Sequence, residues 1–314
     1  MFSIIIPNHN SSDHLIKSIP ALINQFNDDA EIIIIDDCST NEEFDKLQIF
    51  ANDSHITLLR NETNLGPGVS RNKGIKYAKN EYIFFIDADD YLEKDSYITL
   101  KNVINKEHPD VIVFDFNYDI NSIKYCTSMF IQNFENGWVQ PNEALVFVRG
   151  STMGKCYKKS IITENNVQFL NQMRNEDMPF TKVALSYSNN IYYIKKPLYN
   201  YVIHSNSLMH NTQLLDEKNE EEACAYLRQH LENRFPVEFN AIYQYEYIYS
   251  TIFTKLEKKV DKQEILHFLK KNKINRNIYT AKYPIHIKMT LFFVEHKMIN
   301  ILRLLFLIKK AIKK

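Results

Sequence analysis

The chain has 314 residues, of which 45% are hydrophobic, 13% aromatic and 24% charged, with only 6 Gly and 9 Pro. That excludes a disordered, collagenous or low-complexity chain and leaves room for one large domain, or a main domain with an appendage. Lys plus Arg and Asp plus Glu total 38 each, so bulk charge points to no nucleic-acid partner, yet the balance is divided. Residues 251–314 carry 16 Lys and Arg against 4 Asp and Glu, a net charge of +12 that leaves −12 on the first 250 residues.

The opening MFSIIIPNHN has no basic region and only a short apolar run before Pro7, which predicts a first strand over Ser3–Ile6 and no secretory signal. Leu15, Ile19, Leu22 and Phe26 recur at helical spacing within His14–Phe26. A second strand over Glu31–Ile35, a helix over Glu42–Phe50 and a third strand over Ile56–Leu59 follow. Next come a Gly-containing loop (Asn64–Gly68), a helix near Val69–Ala78, and strands over Tyr82–Ile86 and Val111–Phe116. Continuous apolar strands separated by helices predict an α/β fold with a parallel sheet covered on both faces.

From about Gly137 the pattern is less regular, with helices over Asn142–Val148 and Met178–Tyr187 and strands over Ile191–Ile194 and Tyr199–Ile203. After about Leu215 the sequence turns predominantly helical, which places a domain boundary there. The four cysteines (Cys38, Cys126, Cys156, Cys224) lie far apart with no CxxC pair, so neither a zinc cluster nor a disulfide framework is expected, and a reducing cytoplasm fits. No run of about 18 uncharged apolar residues occurs, so no spanning helix is predicted.

The polar residues cluster where strands end: Pro7-Asn8-His9-Asn10, Asp36-Asp37-Cys38-Ser39, Asn64-Leu65-Gly66 with Arg71-Asn72, and Asp87-Ala88-Asp89-Asp90. Ligands of open parallel sheets bind outside the carboxyl ends of the strands, so four such clusters define one site. Asp87 and Asp89, flanking the small Ala88, can hold a hard divalent cation, Mg²⁺ or Mn²⁺, that neutralises a leaving diphosphate; a solvated acidic turn or a helix cap is the competing reading. No GxGxxG or GxxxxGK[ST] occurs, so a dinucleotide site or P-loop lacks its phosphate cradle. Gly66 and Gly68 permit tight turns instead, and Arg71 opens a helix whose end favours anions; it reaches either a phosphate or an acidic neighbour, or forms a structural salt bridge.

SIIIPNHNSSDHL, IIIIDDCSTN, RNETNLGPGVSRNKG and FFIDADDYL resemble, in order and spacing, the N-terminal half of bacterial glycosyltransferase family 2, and MGKCYKKSII, the Phe169 region, NEDMPF and KPLYNYVIHSNSLMH resemble its second half. Members have the GT-A fold and invert the anomeric centre. Over about residues 1–210 the resemblance implies a GT-A type, mostly parallel sheet flanked by helices. It assigns residues 1–215 to the catalytic domain, with the nucleotide-binding half up to about 120 and the acceptor half over 121–215; residues 216–314 form a helical extension. Pro7 and His9 would line the base pocket and Asp37 would bind uracil or ribose, although members more often show Thr-Tyr-Asn at Asn8-His9-Asn10 and Gly at Cys38. Asn64, Gly66 and Arg71 belong to the donor side.

Asp89 would be the direct metal ligand, with Asp87 on ribose or around the metal, and His204 and Ser207 near the diphosphate or metal. Glu176-Asp177 resembles the family's pair in which the Asp is the catalytic base and Glu176 supports it; an acidic pair stabilising a helix start is the competing reading. Lys155 would touch donor or acceptor, with an exposed lysine as the alternative. Trp138 and Tyr157 either stack on an acceptor sugar or sit in the core. The resemblance implies a UDP-sugar donor, a glycan acceptor that is lipid-linked in some settings, and bacterial surface-polymer assembly.

A sugar-1-phosphate nucleotidyltransferase would need a Gly-rich N-terminal loop that the chain lacks, and a non-catalytic scaffold would not need Asp87, Asp89 and Asp177. Near the end, Val294, Met298, Ile301, Leu305, Ile308 and Ile312 predict an amphipathic helix ending in Lys309, Lys310, Lys313 and Lys314, with His296, Arg303 and Lys310 off the apolar stripe. Three readings compete: peripheral attachment to the anionic inner face of the cell membrane, packing on the catalytic domain, or the seam of a homodimer. No nucleic-acid reading motif accompanies the charge.

Overall fold

The computed structural model describes residues 1–172, 175–203, 217–272, 282–283 and 285–312. It divides into two compact units, Met1–Leu214 and Leu215–Lys314.

The first unit begins as a run of βα repeats: β1 (Phe2–Asn8), α1 (Ser12–Phe26), β2 (Ala30–Asp36), α2 (Asn41–Leu47), β3 (Ile56–Arg60), α3 (Pro67–Tyr77) and β4 (Tyr82–Phe85). β2, β1 and β4 are buried almost throughout, because helices cover both faces of a parallel sheet; this is why their sequences are unbroken apolar runs. β1 pairs in parallel with β2 along its whole length but with β4 only as far as Ile5 opposite Phe85. Pro7 tolerates its place in the strand for that reason: its nitrogen faces the side on which the ladder has already ended.

Antiparallel pairs enter in the second half. β5 (Tyr91–Leu92), α4 (Ser96–Glu107), β6 (Val111–Ile120), β7 (Ile123–Thr127), β8 (Gly137–Val139), α5 (Pro141–Phe147), β9 (Lys155–Lys158), α6 (Lys159–Glu164), α7 (Asp177–Ser186) and β10 (Ile191–Val202) complete the unit. The sheet order is β3-β2-β1-β4-β9-β6-β10-β5, with β7 on β6 and β8 on β10. β9 runs antiparallel between β4 and β6, while β6 and β10 are parallel. The two strands expected over Ile191–Ile194 and Tyr199–Ile203 are one strand, β10, whose register on β6 shifts around Pro197.

The second unit is helical: α8 (Glu217–Leu231), α9 (Pro236–Ile242), a π-helical run over Tyr243–Tyr249, α10 (Ser250–Glu257), α11 (Lys262–Lys271), α12 (Ile285–Glu295) and α13 (Ile299–Ile312). The single helix expected to carry the stripe from Val294 onward does not form. Val294 belongs to the last turn of α12, which ends at Glu295; Lys297 turns the chain with φ +56°, and α13 starts at Ile299. Ile248, Ile252, Leu256, Ile265, Phe268, Val294, Ile299 and Leu302 form this unit's core.

Candidate active site

The carboxyl ends of β1, β2 and β4 open on one rim, and each turn there is tied down by its own side chains. Asp36 is fully buried and accepts from Asn8 Nδ2 (3.0 Å), Ser39 N (3.2 Å) and Ser39 Oγ (2.5 Å). Asp37 faces the other way: Oδ1 accepts from Asn61 Nδ2 (2.8 Å) and Leu65 N (3.0 Å), and Oδ2 from Gly66 N (2.7 Å). The residue expected to bind the nucleoside therefore also fixes the Asn64–Gly66 loop. Cys38 between them has φ +58°, the left-handed region that costs an L-residue about 1–2 kcal/mol and that Gly adopts freely. His9 is exposed; Nδ1–H donates to the Asp37 carbonyl (2.9 Å), which leaves Nε2 to accept from Asn64 Nδ2 (3.2 Å).

α3 links this rim to the opposite wall. Gly66 caps it with φ +85° and Pro67 follows in the first turn, where its missing N–H is no loss. Two glycines let it approach on both sides. A Cβ on Gly74 would lie 2.4 Å from Ile5 Cγ2, and one on Gly68 2.7 Å from the Leu170 carbonyl and 2.9 Å from Glu176 Cγ. Asn72 clamps the same wall: Nδ2 donates to the Phe169 carbonyl (2.8 Å) and Oδ1 accepts from Phe169 N (2.9 Å). Phe169 in turn stacks on Phe180 of α7 at 3.8 Å between centroids.

Arg71 stands in the middle, 5% exposed. Its Nη2 donates to Asp87 Oδ1 (2.7 Å) and its Nη1 to Glu176 Oε1 (2.6 Å), joining the acidic turn after β4 to the residue before α7. Arg71 thus meets two acidic neighbours through salt bridges, contacts that the acidic-neighbour and salt-bridge readings share. Asp177, the first residue of α7, is partly exposed. Burial first, and then the charge of Glu176, push its carboxyl up to about 7, although Arg71 pulls in the opposite direction. A carboxylate at that value is half ionised near neutrality and can accept a proton from a hydroxyl.

The acidic turn is braced from β10. Tyr199 Oη accepts from Asp87 N (3.1 Å) and donates to Asp90 Oδ2 (2.5 Å), and Asp90 Oδ1 accepts from Val202 N (2.8 Å). Asp90 is 2% exposed, and burial together with Asp87 and Asp89 raises its carboxyl well above the usual range. Its role is structural. Asp87 remains 38% exposed at the side chain, and its Oδ2 meets no hydrogen-bond donor among the described residues. Ala88 and Asp89 line a cleft of about 510 Å³ with His14, Lys17 and Asp119.

Other expected residues lie elsewhere. The Lys155 side chain is fully buried and its ammonium donates to the Ser151 carbonyl (2.6 Å), so it is not an exposed lysine; burial and the nearby Lys182 hold it well below the usual lysine range. Tyr157 is buried against Thr181 (3.2 Å), whereas Trp138 is 52% exposed and packs edge-on against Tyr192. His204 and Ser207 lie outside the described residues. Sequence reading missed the roles of Asn72, Gly68, Gly74 and Tyr199. The first three had a signal: a helix between two apolar strands that carries no apolar stripe and buries Gly68, Ser70, Arg71 and Gly74.

This geometry belongs to the GT-A fold. The crystal structure of Staphylococcus aureus TarS 1-349 in complex with UDP-GlcNAc matches over 96% of this chain and 89% of that one, with a TM-score of 0.70 and 21% identity, a likeness of fold. The model of glycosyl transferase family 2 matches residues 3–154 of this chain. Poly(ribitol-phosphate) beta-N-acetylglucosaminyltransferase TarS of S. aureus is 27% identical over 204 residues, covering 64% of this chain and 35% of TarS. Poly(ribitol-phosphate) beta-glucosyltransferase of Bacillus spizizenii is 31% identical over 207 residues, covering 62% of this chain and 32% of that enzyme. The putative glycosyltransferase EpsH of Bacillus subtilis is 28% identical over 223 residues, covering 67% and 63%. The chain thus spans about a third of the length of these two poly(ribitol-phosphate) transferases.

Proposed function

We propose that this chain is an inverting glycosyltransferase that moves a hexose or N-acetylhexosamine from a UDP-sugar to a hydroxyl of a bacterial surface glycan or polyol-phosphate polymer. The observation that carries the reading is the Arg71 tie, because it brings the donor-side Asp87 and the base-side Glu176–Asp177 to one guanidinium. The names of the relatives, which transfer N-acetylglucosamine or glucose to poly(ribitol-phosphate), support the donor and acceptor classes.

Asp177 takes the proton of the acceptor hydroxyl as its oxygen attacks the anomeric carbon; the bond from that carbon to the diphosphate breaks, and UDP leaves with the electron pair. Attack from the face opposite the leaving group inverts the centre. Glu176, held by Arg71, fixes the start of α7 and hence the base, while the Asn64–Gly66 loop, His9 and Asp37 form the nucleoside side. The residues fit a divalent cation: Asp87 and Asp89 offer hard oxygens on one turn, and Asp87 Oδ2 meets no donor among the described residues. No cluster of three His, Cys, Asp or Glu occurs among the described residues, so water and phosphate oxygens would fill the remaining positions, with His204 as the further protein candidate. When bound, Mg²⁺ or Mn²⁺ supplies positive charge where the diphosphate becomes more negative.

The test is UDP release from UDP-GlcNAc, UDP-GalNAc, UDP-Glc and UDP-Gal, each with Mn²⁺, Mg²⁺ or EDTA. One donor should turn over, and EDTA should lower its rate about 100-fold, the scale of losing a few kcal/mol of charge stabilisation. Undiminished turnover in EDTA would remove the metal from the proposal, and no release from any donor would remove the activity.

A further inference from the structure

We infer that α12 and α13 form an apolar, basic platform that seats the second unit on an anionic lipid surface. On α12, Ile285, Met289 and Phe292 recur at spacings of four and three on one face; on α13, Leu304 and Leu305 follow Ile301 at distances of three and four residues, and all six stand 38–70% exposed. The other faces are already used. Ile287, Leu291 and Val294 of α12 and Ile299 and Leu302 of α13 are buried, and Val294, Ile299 and Leu302 join the unit's own core. Each helix therefore keeps a second, exposed apolar face, and exposed apolar surface of this kind marks an interaction site.

Charge selects the occupant. Residues 282–314 contain eight Lys and Arg (Lys282, Lys288, Lys297, Arg303, Lys309, Lys310, Lys313, Lys314) and one acidic residue, Glu295. A second copy would bring the same excess of positive charge in this segment and repel it, and a nucleic acid would leave the apolar residues unused. A bilayer surface with anionic headgroups satisfies both features at once: apolar side chains enter the headgroup–acyl boundary and the cations stay among phosphates. Among the described residues no helix is long and apolar enough to cross a membrane, so the contact is with the surface.

The full chain should float with vesicles of phosphatidylcholine containing about 30% phosphatidylglycerol, and bind at least about tenfold more weakly to phosphatidylcholine alone or in high salt. Leu304→Glu and Phe292→Glu should each lower binding about tenfold while circular dichroism and UDP release stay at parental levels. Parental binding by both variants, or no binding of the parent to the anionic vesicles, overturns the inference. So does a parent that dimerises through this face, with Leu304→Glu restoring the monomer, and ignores vesicles. The readout is independent of sugar transfer, so failure here leaves the proposed reaction standing.

Discussion

Asp177→Asn will lower kcat by about three orders of magnitude and leave UDP affinity within about twofold of the parent, in the range known for removal of a general base. The amide cannot take a proton, and the two described carboxylates flanking Asp177 and Asp89 are held by other partners. Glu176 is 6% exposed with an oxygen bound to Arg71, and Asp90 is buried against Tyr199 and β10. The loss will not be a folding defect. Because the folded-state value for Asp177 lies near 7 against 3.8 in the unfolded chain, the folded state holds more protons between those values, and stability falls as pH rises through that window. Asparagine removes the repulsion with Glu176, so the melting temperature at neutral pH should not drop. A scaffold with a decayed site would show no change in any transfer-linked function, and full turnover by the variant would remove Asp177 from its role.

The second large effect belongs to Arg71, a positioning residue. Arg71→Ala leaves Glu176 buried without its partner, an omission that costs about 3–5 kcal/mol; the half of the fork on Asp87 adds little, since that carboxylate is 38% exposed and screened. Urea unfolding should show this loss in the transition of the Met1–Leu214 unit, and transfer should fall with it. Arg71→Lys tests the geometry. One ammonium cannot serve both carboxylates as two Nη groups do, so activity should recover to no more than about a tenth even where stability recovers more fully. A parental urea midpoint and parental turnover for Arg71→Ala would contradict the bridge.

How much of this was legible in the sequence depends on how local the determinants are. β1, β2 and β4 read directly, because strands buried on both faces must be continuous apolar runs, and FSIII, IIIID and YIFF leave no helical alternative of comparable length. β9 did not read as a strand. KCYK carries lysine at both ends, and only the neighbours β4 and β6 and the carbonyls around Ser151 make Lys155 an interior residue. Pro197 reads as a break but is absorbed as an irregularity within β10.

At the site, Asp87, Asp89 and Asp177 stand out by residue type, but the partner of Arg71 could not be read, since its two carboxylates lie 16 and 105 residues away in sequence. In the tail the spacing of apolar residues was visible, while the choice of buried face was not. Ile299 and Leu302 turn inward because the second unit's core receives them, leaving Ile301 and Leu305 outside.

The account rests on a single ionisable carboxylate taking the acceptor's proton beside the Arg71 bridge, and the pH dependence of kcat/KM reads it most directly. With Asp177 poised near 7, kcat/KM should rise tenfold per pH unit below that value and level off above it. The residual rate of Asp177→Asn should lack that step. A flat profile from about pH 5 to 9, or a step that survives unchanged in Asp177→Asn, would contradict the account.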